Sequence, residues 1–306
     1  MLSDEKILVT GPAGRIAFGL TRMLAADNEV WGIARFGDPT ARAEVEALGV
    51  TTRSLDIADG RFDDLPTDFA YLLHLAADFS QVDYDRALRV NAEGTGLLLE
   101  HCRGAKAALV MSTLSVYRPH PDPRHPFRED DPLGDAMVPT QAPYSISKIS
   151  EEAIARYCAR SLDLPITIAR MGSAYGLRGG VPVWNLHTLA GGDPVRTRWD
   201  PMCYSPIHDD DIAAHLEPLL DAASVPATIV NWCGDEAVSV QEWSEHLGAL
   251  LGVEPTVSVE EVPGASIGSV GDTEKRRSIT GPCCVDWREA LGSIAEYFYP
   301  DRVARP

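Results

Sequence analysis

Short apolar runs alternate with helix-length amphipathic stretches through the first half of this chain, and no other feature restricts its fold as strongly. Lys6–Thr10, Glu29–Ala34, Thr51–Leu55, Ala70–Leu75, Ala107–Met111 and Pro165–Ala169 read as strands. Between them Arg15–Ala26, Pro39 to about Leu48, Tyr84–Cys102 and Tyr144–Arg160 read as helices. A strand that returns parallel to its predecessor needs a crossover, which a helix on the sheet face provides. The pattern therefore predicts an α/β fold with a parallel sheet covered on both faces.

The first strand runs directly into Thr10-Gly11-Pro12-Ala13-Gly14-Arg15-Ile16-Ala17. In that position Gly11 makes a tight turn and Gly14 lets backbone approach a pyrophosphate. The free N–H groups of the following helix, from Arg15 and Ile16 onward, offer donors to phosphate, and Ala17 is small enough for helix and strand to pack. The fold expected is thus a Rossmann-type doubly wound sheet that binds a dinucleotide. Past Met171 the rhythm loosens, with glycine and proline crowding Gly176–Pro194 and acids at Asp209–Asp211. A strand near Ala227–Trp232, a helix near Val240–Leu251, a strand near Thr256–Val262 and a helix near Asp286–Tyr299 follow. These suit a smaller C-terminal substrate domain. The expected division is residues 1–171, with about 205–235 added, for the dinucleotide, and 172–204 with 236–306 for the substrate.

A second strand that serves NAD ends in an acid for the ribose 2′-hydroxyl. Here Ala34 and Arg35 stand in that place, and the nearest downstream acid is Asp38. A guanidinium without a carboxylate suits a 2′-phosphate, which arginine grips through two parallel bonds. The expected cofactor is NADP, with NAD second. The alternative for these residues is a solvated Arg35 and an Asp38 that caps the next helix.

Tyr144-Ser145-Ile146-Ser147-Lys148 sets a tyrosine and a lysine four apart, on one face of a helix. A lysine is an uncommon residue here, since only four of the 27 basic residues are lysines. A neighbouring ammonium and a positive nicotinamide ring both favour a phenolate, which makes tyrosine a general acid/base near neutral pH. A hydroxyl partner is expected at the end of a preceding strand, and Ser112, Thr113 and Ser115 are available.

With TGPAGRIA, His74–Asp78 (HLAAD), Val90–Thr95 (VNAEGT), STLSVY and PYSISK in this order, the chain resembles the extended short-chain dehydrogenases/reductases of the epimerase/dehydratase group. Ala169–Gly176 and Ser205–Ala213 extend the resemblance over nearly the whole length. It implies that Thr113, aligned through Tyr117, completes a catalytic set with Tyr144 and Lys148. It also implies cofactor contacts from Asp56, Ile57, Leu75, Ala76, Ala77 and Asn91, and backbone from Met171 and Ser173 near the nicotinamide, with Tyr144 and Lys148 at the cofactor too and Lys148 holding the nicotinamide ribose. A homodimer through the helices at about 84–102 and 144–160 is implied as well.

The departures narrow the activity. Dehydratases of the group carry an Asp-Glu pair after the threonine, whereas Leu114-Ser115 follows here, so elimination of water lacks its acid and base. The Arg198–Tyr204 stretch differs from that of nucleotide-sugar members. Arg118 opens a His/Pro-rich loop, Pro119–Pro126, which either shapes the substrate pocket or lies on the surface. His120 and His125 lack further ligands at metal spacing, so no metal is expected. His208 and Asp209–Asp211 read as a helix start, Cys283-Cys284 as packing residues, and Trp184, Trp199, Trp232 and Trp243 as core, with pocket lining as the alternative.

Composition excludes other classes. A net charge of −18 opposes a nucleic-acid partner. No apolar run is long enough for a membrane span, and MLSDEKILVT does not read as a signal peptide. Six unpatterned cysteines point to reduced thiols and a cytoplasmic setting. The expected activity is hydride transfer at a carbinol or carbonyl carbon of a small-molecule substrate. An epimerase that retains NAD is the alternative enzyme, and a dinucleotide-sensing regulator the alternative of another class.

Overall fold

The computed structural model describes residues 2–79, 83–134 and 138–303, with the side chains of 138–142 left out. Seven strands form its main sheet: β1 (Lys6–Thr10), β2 (Glu29–Ala34), β3 (Thr51–Ser54), β4 (Tyr71–His74), β5 (Ala107–Thr113), β6 (Ile166–Met171) and β7 (Thr228–Trp232). Their order is β3-β2-β1-β4-β5-β6-β7, and every neighbouring pair is parallel. The alternating reading is therefore realised as a doubly wound sheet with its reversal between β1 and β4, beside the glycine turn.

The α-helices are α1 (Arg15–Ala25), α2 (Pro39–Glu46), α3 (Tyr84–Leu88), α4 (Gly94–His101), α5 (Val138–Ser161), α6 (Val181–Gly191), α7 (Asp209–Asp221), α8 (Val240–Leu251), α9 (Glu274–Thr280) and α10 (Trp287–Phe298), and short strands outside the main sheet form smaller sheets. Side chains of β1 alternate between two cores because the strand period is two. Ile7 and Val9 join Leu20 and Leu24 of α1 and Leu216 and Leu219 of α7, whereas Leu8 joins Leu98 and Leu99 of α4 and Ala155 and Ala159 of α5. A third core gathers Leu186 of α6, Trp243 and Leu247 of α8, and Trp287 and Leu291 of α10.

Three local differences from the sequence pattern have physical causes. The stretch 84–102 is not one helix: a π-helical turn at Arg89–Glu93 separates α3 from α4. Gly94 there lies against Ile57, where an added Cβ would meet the Ile57 carbonyl oxygen at 3.3 Å. Helix α5 begins at Val138 rather than Tyr144 and runs through Pro143, which by local chemistry marks a boundary. Helix α6 rises from the Gly/Pro-rich segment, with Pro182 in its first turn and a left-handed Gly192 closing it. Cys284, expected to pack, is exposed, while Cys283 packs against the first core. Among the described residues no helix is long and apolar enough to cross a membrane.

Candidate active site

A cavity of about 800 Å³ lies along the carboxyl ends of β1, β2 and β4. Gly11, Gly14, Arg15, Ile16, Arg35, Asp56, Ile57, Leu75, Ala76 and Ala77, all expected at the cofactor, line it together. Gly11 has φ +64°, and a Cβ there would sit 3.3 Å from both Cα and Cβ of Ala76. A side chain at this position would therefore be strained and crowded. Among the described residues the N-terminus of α1 has no side-chain cap and no acid in its first turn, which leaves its first N–H groups available to a ligand.

At the far end, Arg35 reaches the cavity wall beside Phe36 and Gly37. Among the described residues no carboxylate pairs with it. Asp38 instead caps α2, its carboxylate accepting from Thr40 N at 2.8 Å. Arg178 also lines this cavity, as does Trp184, which the sequence pattern assigned to the core. Trp184 is thus not core, whereas Trp232 and Trp243 are fully buried. Arg178 crosses the Phe18 ring at 3.7 Å and pairs with Glu44 at 2.9 Å. Arg15 turns across the turn and donates to Ala174 O at 2.7 Å. Burial pushes the facing Asp209 carboxyl up to about 6, against the pull of Arg15.

Three side chains expected in catalysis come from two elements. Thr113 ends β5, and its hydroxyl hydrogen-bonds the Tyr144 phenol of α5. The Phe79 ring stacks on Tyr144 with centroids 5.0 Å apart. Burial pushes the phenol well above its ordinary range, the Thr113 bond opposes this and Glu151 adds to it, so the tyrosine is held protonated. The ammonium of Lys148 does not serve the phenol as spacing alone suggested. It is almost fully buried, donates to Met111 O at 2.8 Å and forms an ion pair with Glu151.

Glu151 and its neighbour Glu152 were not singled out by the sequence reading. Both are buried, at positions three and four beyond Lys148, where the helix faces the sheet. An acidic pair on the sheet-facing side of a helix was the available signal. Burial raises the Glu151 carboxyl to about 7, partly offset by Lys148. His74 Nε2 lies 3.6 Å from it and 2.7 Å from Thr95 Oγ1, with Nδ1 2.9 Å from Thr10 Oγ1. Asn91, expected at the cofactor, is buried outside the cavity lining. Its amide accepts from Asp78 N at 2.7 Å and donates to Ser147 Oγ at 2.9 Å, tying the β4 loop to α5. Met171 is buried at the end of β6, and Ser173 opens a short strand paired with Pro206–His208.

Burial pushes the His74 ring down to about 3, so it stays neutral in the fold. An unfolded histidine takes up its proton near pH 6.5. The unfolded chain therefore binds more protons between these values, and this contribution to stability is lost as pH falls below 6.5. Glu151 works in the opposite sense between its unfolded value and about 7. The expectation is accordingly set on a difference: from pH 6.5 to 4, wild type should lose on the order of 3 kcal/mol more stability than His74→Asn. Urea titrations across that range measure it, and parallel pH profiles for the two proteins would contradict it.

The substrate side bears on the reaction. Leu114, where a dehydratase acid would stand, is buried with Val116, Tyr117, Phe127 and Cys233. The His/Pro-rich loop is anchored rather than loose: His120 and His125 stack with centroids 3.8 Å apart, and Arg124 binds Glu242 of α8 at 3.0 Å.

The sequence profile described as the NAD dependent epimerase/dehydratase family matches residues 7–186. No curated protein matches the chain at a significant level. Solved structures with the same fold include a mutant UDP-glucuronic acid 4-epimerase from Bacillus cereus in complex with UDP-4-deoxy-4-fluoro-glucuronic acid and NAD. It superposes with a TM-score of 0.84 at 22 % identity, over 96 % of this chain and 99 % of that one. UDP-N-acetylglucosamine 4-epimerase from Methanobrevibacter ruminantium gives 0.84 at 20 % identity, over 98 % and 99 %. DesIV, a dTDP-glucose 4,6-dehydratase from Streptomyces venezuelae, gives 0.83 at 21 % identity, over 97 % and 98 %.

Proposed function

Since the chain belongs to the NAD dependent epimerase/dehydratase family and is an enzyme of nicotinamide-dinucleotide type, we propose that it works as a reductase or dehydrogenase on a small carbonyl or carbinol compound with NADP(H). The observation that carries this reading is the exposed Arg35 on the cavity wall, unpaired with a carboxylate among the described residues, while Asp38 on the same wall caps α2. The open glycine turn, the uncapped start of α1 and the cavity volume fit a dinucleotide. Gly14, Arg15 and Ile16 would hold the pyrophosphate, Arg35 the 2′-phosphate, and Asp56 with Ile57 the adenine edge. Leu75, Ala76, Ala77 and Asn91 would line or support the middle, with Met171 and Ser173 near the nicotinamide.

When bound, NADPH supplies the hydride. Thr113 Oγ1 and Tyr144 Oη would hold the substrate oxygen between them. A phenol kept protonated by burial is the acid that an oxygen gaining negative charge requires. Lys148 would hold the nicotinamide ribose, with Glu151 balancing its charge in the interior. Buried Leu114 supports a reaction without elimination of water. We place the enzyme in the cytoplasm on its free thiols. We also infer a homodimer through α4 and α5, which expose Leu97 and Tyr157.

A reductase must exchange its nucleotide at each turnover, whereas an epimerase returns the hydride to the same substrate and gains by retaining NAD. Purified protein should therefore carry little nucleotide and bind NADPH reversibly in a fluorescence titration. Arg35→Ala should weaken NADPH at least tenfold and leave NADH within about twofold, the effect of one charge-assisted bidentate contact. Near-stoichiometric NAD⁺ released on denaturation would establish the epimerase instead. Equal losses for the two cofactors would remove Arg35 from selectivity.

A further inference from the structure

Away from the dinucleotide cavity, α7 presents Asp211 and His215 one helical turn apart on its buried face. The segment between α9 and α10 brings Cys283 to them. One ligand-type atom of each residue lies within 4.8 Å of those of the other two. Asp211 is 3 % exposed and His215 2 %. Nδ1 of His215 is buried without a hydrogen-bond partner among the described residues, while the ring faces the Pro282 carbonyl. A buried ring nitrogen without a partner among the described residues can offer its lone pair to a cation. A cavity of about 290 Å³, lined by Asp211 and Cys283, opens beside the cluster.

We propose that Asp211, His215 and Cys283 bind a divalent transition cation of the zinc class, with the fourth position turned to this cavity. An oxygen, nitrogen and sulfur set matches zinc better than magnesium or calcium, which take oxygen ligands. Ligand bonds of about 2.0–2.3 Å put tetrahedral neighbours roughly 3.4–3.7 Å apart, so closure requires a contraction of about 1 Å. Asp211 already holds the Cys283 segment, accepting from Cys284 N at 2.7 Å and Val285 N at 3.3 Å. The nearby Arg276 is engaged by Asp235 and by Gly281 O at 2.7 Å, so its charge is matched without Asp211. A dication with the Asp211 carboxylate and a Cys283 thiolate is then neutral overall. Burial holds the free Cys283 thiol up at about 12, so binding would release its proton. The cation would pin the strap that leads into α10 onto α7.

The test uses full-length protein made without a histidine tag, stripped by a chelator and kept reduced by a phosphine. Co²⁺ titration should give a thiolate-to-cobalt band in the near ultraviolet and tetrahedral visible bands, saturating at one equivalent and displaced by Zn²⁺. Cys283→Ser should abolish the thiolate band and weaken Zn²⁺ by more than about tenfold, and Cys284→Ser should change neither. Zn²⁺ should raise the melting temperature of wild type but not of Cys283→Ser. If Cys283→Ser does not fold, His215→Gln decides by the same readouts. Absence of the band in wild type, its survival in Cys283→Ser, or its loss in Cys284→Ser would overturn the proposal. NADPH affinity serves as the unaffected control.

Discussion

Replacing Tyr144 with phenylalanine should lower turnover by about 10²–10⁴-fold and leave cofactor affinity within about twofold. The substitution removes one oxygen and keeps the ring that stacks on Phe79 at 5.0 Å. The fold should therefore survive, and the loss should fall on proton delivery. The Thr113 hydroxyl loses its phenol partner but still accepts from Ser115 N at 3.1 Å. On the proposed reading, cofactor binding rests mainly on the β1–α1 turn and the cavity wall, whose lining does not include Tyr144. Single-turnover and steady-state rates, beside an NADPH titration of the same sample, separate the two effects. A variant that keeps more than about a tenth of wild-type turnover would remove Tyr144 from the acid role.

The largest expected effect on stability belongs to Arg170→Met. Arg170 on β6 is 2 % exposed and grips Glu152 of α5 through two bonds of 2.9 and 2.8 Å. It also donates to Tyr117 Oη at 2.8 Å, and that hydroxyl donates to Asn231 of β7 at 2.6 Å. Ser112 donates to the same Glu152 at 2.6 Å. The pair is therefore the joint between the helix that carries Tyr144 and the sheet that carries Thr113. Removing the guanidinium leaves a carboxylate in the interior with only one hydroxyl for company. Breaking one side of a buried pair costs about 3–5 kcal/mol, so the melting temperature should fall by roughly 10 °C in a chain of this size. The double variant Arg170→Met with Glu152→Leu should recover a large part of the loss, because no charge is then left unpaired. A single variant within about 1 kcal/mol of wild type, or a double variant no better than the single, would show that the joint lies elsewhere.

How much of this was legible beforehand follows from the range of each interaction. Strand β1, the Gly11 turn and helix α1 announce themselves within a dozen residues, because period, cap and glycine act on immediate neighbours. The π-helical turn at Arg89–Glu93 did not, since Asn91 and Gly94 are explained by contacts with Asp78 and Ile57, distant in sequence. The burial of Glu151 and Glu152 is set by the sheet that lies beneath α5. Trp184 and Arg178 joined the cavity only through the fold of the Gly176–Gly180 segment.

By itself, the sequence determined the parallel α/β class, the dinucleotide end and the spacing of Tyr144 and Lys148, all consequences of repeats of two and of 3.6 residues. Tertiary structure alone decided where charge is balanced. It turned Lys148 toward Glu151, locked Glu152 to Arg170, and gathered Asp211, His215 and Cys283. The free energy of a buried charge or ligand depends on its partner across the fold, and chain topology, not local periodicity, chooses that partner.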